Sequence, residues 1–198
     1  MIEKAKLESW YFKERKSQQE IADVLGCSLH KVSYWVGKHG IKTRSISDAI
    51  YLRHNPHGDP FKFSPPRTIA DFQLFGLGMG LYWGEGTKAN KDSVRLGNTD
   101  PALIKQFINF LVRFFGIERK DLRFGIQIFT DIGMGVAMDF WIKKLRIHRS
   151  QFYKPIVTKS GSLGTYRKRS EYGVVTVMYH NKRLRNLLVD MLADVAQR

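Results

Sequence analysis

Glu85 stands at the end of an apolar stretch in which glycines recur four positions apart, at Gly76, Gly80 and Gly84. Residues four apart lie on the same face of a helix, so these glycines predict a stripe that carries no side chains. A glycine inside a helix destabilises it by about 1 kcal/mol relative to alanine. Because three glycines share one face, we expect the stripe to have a function, namely to allow the close approach of a second helix. Glycine is also a common helix stop, and Gly86 follows Glu85 directly. The pattern therefore predicts a helix-pair interface with a carboxylate at its C-terminal end.

The composition favours a nucleic-acid partner. The 198-residue chain has a formal net charge of +15 and an isoelectric point near 10.0. Such a charge indicates a polyanionic partner, most often nucleic acid, although ribosomal and membrane-surface proteins share it. The hydrophobic content of 43% excludes wholesale disorder. With Cys27 as the single cysteine, and without a signal peptide or a membrane-length apolar run, we expect a soluble cytoplasmic protein, associated with the nucleoid if the cell is bacterial.

Proline content predicts a boundary between two domains. Residues 54–68 contain four of the six prolines, and proline removes a backbone donor and blocks helix formation. We therefore expect an extended, proline-rich linker over 51–68. It would join an all-α domain at 1–50 to an α+β domain at 69–198.

Local signals in residues 17–44 predict two short helices. Ser17 and Glu20 have the spacing of a capping box. Gly26 supplies a turn and Ser28 is placed to cap the next helix. Two short helices joined by a tight turn predict a helix-turn-helix, and the whole run resembles the helix-turn-helix of resolvase- and transposase-type proteins.

This resemblance implies a set of DNA contacts, because in that family the second helix enters the major groove. One group of residues would face bases and phosphates: Ser28, Leu29, His30, Lys31, Ser33 and Tyr34. A second group would reach the phosphate backbone or an adjacent groove: Lys38, Lys42 and Arg44. The alternative is a helical bundle that binds another protein.

Residues 69–198 alternate between helical and strand patterns. The apolar spacing predicts helices near 69–84, 101–115, 134–145 and 183–195, a hairpin over 87–98, and strands over 122–129 and 174–179. The strands have one apolar side, typical of a sheet with one buried face. We expect an α+β domain with an antiparallel sheet.

The element order resembles the LAGLIDADG homing-endonuclease fold, an αββαββα saddle. Residues 78–86, Gly-Met-Gly-Leu-Tyr-Trp-Gly-Glu-Gly, match the signature of that family in the central Gly-Leu and in the ending of small residue, acid and glycine. They depart from it at Gly78 and at Trp83, where the family commonly has aspartate. Family members with a single motif pair as homodimers, so the resemblance implies a dimer interface at Gly76, Gly80 and Gly84.

A homodimer would bring two Glu85 carboxylates together. Like charges this close need a compensating cation or a protonation shift, and hard cations such as Mg²⁺ bind carboxylate, water and phosphate oxygens. Glu85 is therefore the candidate catalytic residue and ligand of Mg²⁺ or Mn²⁺ for phosphodiester hydrolysis. The alternative is a solvated acid at a helix end.

Further candidates for DNA contact lie on the predicted sheet and its loops. Arg95, Arg123 and Gln127 lie opposite the apolar strand positions, and arginine and glutamine suit bidentate contacts with guanine and adenine edges. Basic residues of the hairpin and of a glycine-rich loop suit phosphate contacts: Lys88, Lys91, Arg167, Lys168 and Arg169. Lys159 opens that loop and is a candidate catalytic lysine that polarises the scissile phosphate. Taken singly, each is also explained as a solvated surface charge.

The sequence thus predicts a sequence-specific protein that binds double-stranded DNA as a homodimer, with no membrane association. The first hypothesis is a metal-dependent, site-specific endonuclease of the homing type. The alternative is a catalytically inactive transcriptional regulator with the LAGLIDADG fold.

Overall fold

The computed structural model describes residues 1–159 and 170–197. The chain divides into two compact units, Met1–Asp59 and Pro60–Arg198. Within the described parts of the chain, no helix combines the length and the apolarity needed to cross a membrane.

The first unit is helical. Its described elements are α1 (Lys4–Glu8), a π-helical turn (Ser9–Lys13), α2 (Gln18–Val24), α3 (Leu29–Lys38) and α4 (Ile46–His54). The side chains of Leu7, Ile21, Val32 and Val36 form the centre of its core and are almost fully buried. The unit is therefore held together by one apolar face from each of the first three helices.

The predicted capping box at the start of α2 is confirmed. Ser17 Oγ accepts a hydrogen bond from the Glu20 amide at 3.1 Å, and the Glu20 carboxylate accepts one from the Ser17 amide at 2.7 Å. Gly26 lies in the turn before α3 with φ of 60°, a left-handed conformation that favours glycine. Ser28 Oγ caps α3 through the Lys31 amide at 3.3 Å. Two short helices and a tight glycine turn are thus present, and their role as a DNA-binding motif stays a prediction.

The proline-rich segment is less extended than expected. Residues 51–54 of the predicted linker belong to α4, which Ser45 caps through the Asp48 amide. Farther along, the Lys62 and Ser64 amides donate to the Phe115 and Phe114 carbonyls at 3.0 and 2.8 Å. Residues 61–64 are therefore part of the second unit and do not form a free spacer.

The second unit is a mixed α+β structure. Its described elements are α5 (Ile69–Glu85), β1 (Val94–Asn98), α6 (Pro101–Phe115), β2 (Arg123–Phe129), α7 (Met134–Leu145), β3 (Ile156–Thr158), β4 (Val174–Tyr179) and α8 (Lys182–Ala196). The strand order in the sheet is β1-β4-β2-β3. The α+β class is therefore confirmed at this coarser level.

The predicted antiparallel sheet is wrong in one respect, because the sheet is mixed. β4 pairs antiparallel with both β1 and β2, whereas β3 pairs parallel with β2. The predicted hairpin over 87–98 contains one full strand, β1. Its first arm is reduced to a single bridge between Gly86 and Leu96 and a bond from the Thr87 amide to the Arg95 carbonyl at 2.9 Å.

The core of this unit lies between the helices and one face of the sheet. α6 contributes most of it, with Phe107, Phe110 and Phe114 fully buried. Asp100 caps this helix, and Gly116 ends it with φ of 64°. Because the helices cover one face of the sheet, the opposite face, termed the outer face below, carries the alternate side chains of each strand.

An ion pair joins α5 to α6 near the start of α5. Arg113 donates through Nε to Asp71 Oδ1 and through a terminal nitrogen to Oδ2, both at 2.9 Å. These bonds, together with one from the Arg67 amide, hold the pKa of Asp71 below its ordinary value. The carboxylate thus fixes α5 in rotation about its own axis.

We expect this pair to make stability depend on pH. Because the pKa of Asp71 is lowered by folding, its contribution is complete above the ordinary aspartate pKa of about 3.9 and is lost as the pH falls through the lowered value. Asp71→Asn should therefore lower the urea midpoint at neutral pH and have a smaller effect at acid pH. Asp121→Asn, an exposed aspartate outside this contact, is the control. An equal loss at both pH values would contradict the assignment.

Candidate nucleic-acid interface

One face of α5 is open along its whole length. Gly76, Gly80 and Gly84 are exposed, and a Cβ atom built on any of them would meet no atom within 4 Å outside its own helix turn and immediate neighbours. The predicted glycine stripe is therefore present, and the described residues leave it uncovered. Gly78, one step off the stripe, differs: its Cβ would lie 2.7 Å from Phe110 Cβ and overlap the ring.

Large apolar side chains flank the open glycines. The exposed fractions are 80% for Ile69, 61% for Phe72, 46% for Leu77 and 51% for Trp83. Phe72, Leu77 and Trp83 each lie three or four positions from a glycine, and Ile69 lies seven from Gly76, so on a helical projection all four fall beside the stripe. The open face of α5 is thus apolar and flat in its centre, with aromatic groups at its edges, as a surface that packs against another helix requires.

Glu85 is the last residue of α5 and is exposed. The chain enters the sheet directly after it, since Gly86 bridges to Leu96 on β1. The Lys88 ammonium donates to the Trp83 carbonyl at the end of the helix, where a cation is favourable. Lys88, predicted to contact DNA, therefore stabilises the C-terminal turn of α5 beside the carboxylate.

The described residues of one chain contain no cluster of metal-ligating side chains. Among the described residues, no group of three or more histidine, cysteine, aspartate or glutamate side chains is close enough to hold an ion. Lys159 follows β3, at the opposite edge of the sheet from the segment that follows Glu85. Four strand spacings separate the two segments, or about 19 Å. The structure thus does not bring the two predicted catalytic residues together in one chain.

The outer face of the sheet begins with a row of two arginines. Arg95 on β1 and Arg123 on β2 both pair with Met178, which lies between them on β4. Val94, Leu96 and their neighbours on the core side are buried. At the far end of the face, Gln127 is exposed and its amide nitrogen lies 3.2 Å from Thr158 Oγ1. The strand faces predicted for Arg95, Arg123 and Gln127 are therefore observed.

A glycine strip crosses the sheet between these two ends. Gly97 and Gly125 both pair with Thr176, so the three residues form one row. A Cβ on Gly97 would lie 2.9 Å from Thr176 Oγ1, and one on Gly125 would lie 2.9 Å from Met178 Cε. Glycine inside a strand allows another molecule to approach the backbone closely. In this structure the Thr176 hydroxyl and the end of Met178 lie against the two glycines, so the middle row carries no long polar side chain.

Two residues on the outer face escaped the sequence analysis. His180 is the first residue after β4, and its Nε2 lies 2.8 Å from the Tyr153 hydroxyl. Loss of hydration lowers the pKa of His180, and the nearby charges of Arg95 and Arg123 lower it further. His180 offered no signal in the sequence, because its partners are distant along the chain.

The residues predicted to face DNA on α3 are accessible. Every member of the first group is exposed: Ser28, Leu29, His30, Lys31, Ser33 and Tyr34. Lys38 and Lys42 are exposed as well, and the Lys38 ammonium lies 4.9 Å from the centre of the Trp35 ring. α3 thus presents polar, aromatic and basic groups on the side opposite its buried Val32 and Val36.

Arg44 has a structural position instead of the predicted contact with DNA. Its guanidinium donates to the backbone carbonyls of Tyr11, Arg15 and Lys16, and it stacks 4.0 Å above the Tyr11 ring. With its donors engaged by three carbonyls, Arg44 holds the π-helical turn to the segment after α3. We therefore leave it out of the proposed contact surface.

Lys91 is exposed in the turn before β1, and Arg185 on α8 holds that turn by donating to the Asn90 carbonyl at 3.0 Å. Arg167, Lys168 and Arg169 lie outside the described residues.

Comparison of the chain with protein-family models, with curated proteins and with solved structures finds no match. The function proposed for it is therefore inferred from its own residues.

Proposed function

We propose that this protein binds double-stranded DNA sequence-specifically as a homodimer, and that the dimer is a metal-dependent, site-specific endonuclease. One observation carries the proposal: an open, apolar glycine face on α5 ends in an exposed carboxylate where the chain enters a sheet with arginines on its outer face. The resemblance of residues 78–86 to the LAGLIDADG signature supports the same assignment.

DNA binding is supported by charge and by two exposed surfaces. The net charge of +15 favours association with a polyanion. α3 exposes His30, Lys31 and Tyr34 at positions suited to the major groove. The outer face carries Arg95 and Arg123, which suit phosphate or guanine contacts.

The homodimer is supported by the open face of α5. Glycines at 76, 80 and 84 let a second backbone approach within the short interaxial distances of close helix packing. A twofold axis through this face places the same residues opposite one another. Exposed apolar groups such as Phe72 and Trp83 would then leave water, which stabilises association by about 25 cal/mol per Å² of apolar surface.

The fit of a divalent cation depends on the dimer. A single exposed Glu85 does not hold Mg²⁺, whereas two carboxylates and the oxygens of a bound phosphodiester have the chemistry that this ion prefers. When bound, the ion would supply charge stabilisation and an activated water. The residues of the chain supply the rest, since the two copies of α5 set the separation of the carboxylates and the outer faces orient the DNA backbone above them.

A regulator without nuclease activity is the second candidate. It is favoured by the small number of candidate metal ligands, since the described residues contain no acidic cluster beside Glu85. Incubation of supercoiled target DNA with Mg²⁺ or Mn²⁺ separates the two candidates. Metal-dependent cutting supports the endonuclease, whereas tight and specific binding without cutting supports the regulator.

We expect duplex affinity to fall steeply between about 50 and 200 mM salt, because phosphate contacts release counterions. Arg123→Ala should weaken binding and Gln127→Ala should relax base preference, by about 1–3 kcal/mol for a lost base contact. Lys105→Ala removes an equal charge from α6, on the helical side of the sheet, and should leave affinity unchanged. Fluorescence anisotropy with labelled duplexes measures all three variants. An affinity that does not depend on salt would remove the basis of the proposal.

A further inference from the structure

The structure assigns a phosphate-binding site, linked to uptake of one proton, to one end of the outer face. Four side chains form it: Arg95, Arg123, Tyr153 and His180. The site rests on the proposed function in one respect, because the phosphate it receives is a phosphodiester of the bound duplex.

The geometry concentrates positive charge around one imidazole. Arg95 and Arg123 flank Met178 from the two strands beside β4. His180 directly follows β4 and is close enough to both arginines for their charges to lower its pKa. Tyr153 approaches from the segment after the 3₁₀ turn at Arg149–Gln151, and its amide donates to the Phe124 carbonyl at 2.8 Å. Two arginines and a histidine with a phenol beside it form a group of donors suited to phosphate oxygens.

Donor capacity remains on both arginines. Arg95 uses Nε in a bond to Ser93 Oγ at 2.8 Å, and Arg123 uses one terminal nitrogen for the Lys120 and Leu122 carbonyls. A guanidinium has five N–H donors, so each arginine has donors beyond these bonds. The internal bonds hold the two arginines in place on the sheet surface.

The bond between Tyr153 and His180 changes direction with protonation. When His180 is neutral and Nε2 lacks a proton, the Tyr153 hydroxyl donates to it across 2.8 Å. When His180 gains a proton, Nε2–H becomes the donor and the Tyr153 oxygen the acceptor. The hydroxyl proton of Tyr153 is then released to point outward and donate to a phosphate oxygen. One proton taken from solvent thus adds a positive charge and one outward donor.

The charges around His180 determine whether phosphate binding strengthens or weakens as the pH falls. Arg95 faces it from β1, Arg123 from β2 and the Tyr153 hydroxyl from the segment before β3, while Lys182 and Arg183 follow at the start of α8. The two arginines disfavour the imidazolium in the free protein, which agrees with the lowered pKa of His180. A bound phosphate brings negative charge and raises that pKa, so binding must strengthen as the pH falls.

The test follows the His180 ring by NMR in the full protein from about pH 5 to about pH 8. Spectra are recorded alone, with a mixed-sequence duplex of about 30 base pairs, which binds through its phosphates, and with inorganic phosphate. We expect the duplex to raise the His180 pKa by about one unit, equivalent to tenfold tighter binding at the acid end. His180→Gln assigns the signal and should lose the tenfold strengthening of binding at the acid end. Tyr153→Phe should retain only part of the shift, because it lacks the phenol donor.

A reporter variant distinguishes phosphate binding at this site from the general electrostatic effect of bound DNA on any nearby histidine. Gln127→His, made together with His180→Gln, places an imidazole at the other end of the same face. We expect a smaller pKa rise there than at His180. Equal rises would overturn the assigned site, because the field of the duplex alone would then account for both.

The remaining outcomes distinguish this inference from the proposed function. A duplex that binds without raising the His180 pKa overturns the site and leaves DNA binding intact. A rise with inorganic phosphate, when no duplex binds, supports the anion site and overturns the proposed function. If neither ligand binds or moves the pKa, both fail.

Discussion

Gly80→Ala is expected to stabilise the separate subunit and to weaken the dimer, whereas Gly78→Ala should destabilise both. A Cβ at position 80 meets nothing within 4 Å in one chain, so alanine should raise the free energy of unfolding by about 1 kcal/mol through its better helix propensity. In a dimer packed through the open face of α5, the same methyl group would push the two backbones apart.

Gly78→Ala is the matched control for the opposite effects of Gly80→Ala on the subunit and on the dimer. It adds the same methyl group to the same helix, but on the side where Phe110 leaves no room. Overpacking of this kind costs about 1–3 kcal/mol, and it acts in the monomer and the dimer alike. Opposite effects of two neighbouring Gly→Ala changes would be difficult to explain without a partner helix.

Urea unfolding at low protein concentration measures the stability of the subunit, and sedimentation equilibrium measures the dimer dissociation constant. Gly80→Leu extends the comparison, since a larger side chain should abolish the dimer while the subunit remains folded. A wild-type protein that stays monomeric at every concentration, with and without DNA, would eliminate α5 as an interface. The catalytic proposal would be lost with it.

Glu85→Gln is expected to abolish metal-dependent DNA cleavage while leaving duplex affinity nearly unchanged. Glutamine retains the size and shape of the side chain but removes the negative charge that a divalent cation requires. We expect a loss on the order of 10³-fold in the cleavage rate, or about 4 kcal/mol. Because Glu85 is exposed at a helix end, the fold should tolerate the change.

Asp92→Asn is the control for Glu85→Gln. Asp92 is an exposed acid in the turn that leads into β1, so its loss changes the net charge equally without touching the end of α5. Initial rates of plasmid nicking and linearisation with Mg²⁺ and with Mn²⁺ provide the measurement. Equal cleavage by wild type and Glu85→Gln would exclude this carboxylate from catalysis and place any nuclease activity elsewhere.

The features predicted correctly from the sequence depend on residues close together in the chain. The capping box of Ser17 and Glu20 spans four residues, and the strand alternation from Arg123 to Gln127 spans five. The glycine spacing of α5 is likewise a property of one helix. Each of these signals is complete within a few residues, so no knowledge of the tertiary structure was needed.

The features that were missed depend on distant partners. β3 has three residues, two of them exposed, and takes its place by parallel pairing with β2. Arg44 was interpreted as a phosphate contact because its carbonyl partners lie 28 to 33 residues earlier. His180 meets Tyr153 across 27 residues of chain. Sequence spacing alone does not reveal such pairs.

The helix α4 was missed for a different reason. Its cap was readable, because Ser45 precedes Asp48 by three residues, but none of its residues is buried. Without an apolar face, a helix has no periodic signal to distinguish it from a loop. The neighbouring prolines then favoured an extended linker.

The glycine strip has a consequence for the DNA sites that such a protein would select. A duplex lying across Gly97, Thr176 and Gly125 would meet the short Thr176 hydroxyl and the apolar end of Met178 beside Gly125, with the long polar side chains only on either side. Base pairs above the strip would be discriminated by local stiffness and groove width instead of by hydrogen bonds to their edges. Each half of the target would then consist of two conserved blocks with a tolerant spacer between them, so that point changes in the spacer would leave the site usable.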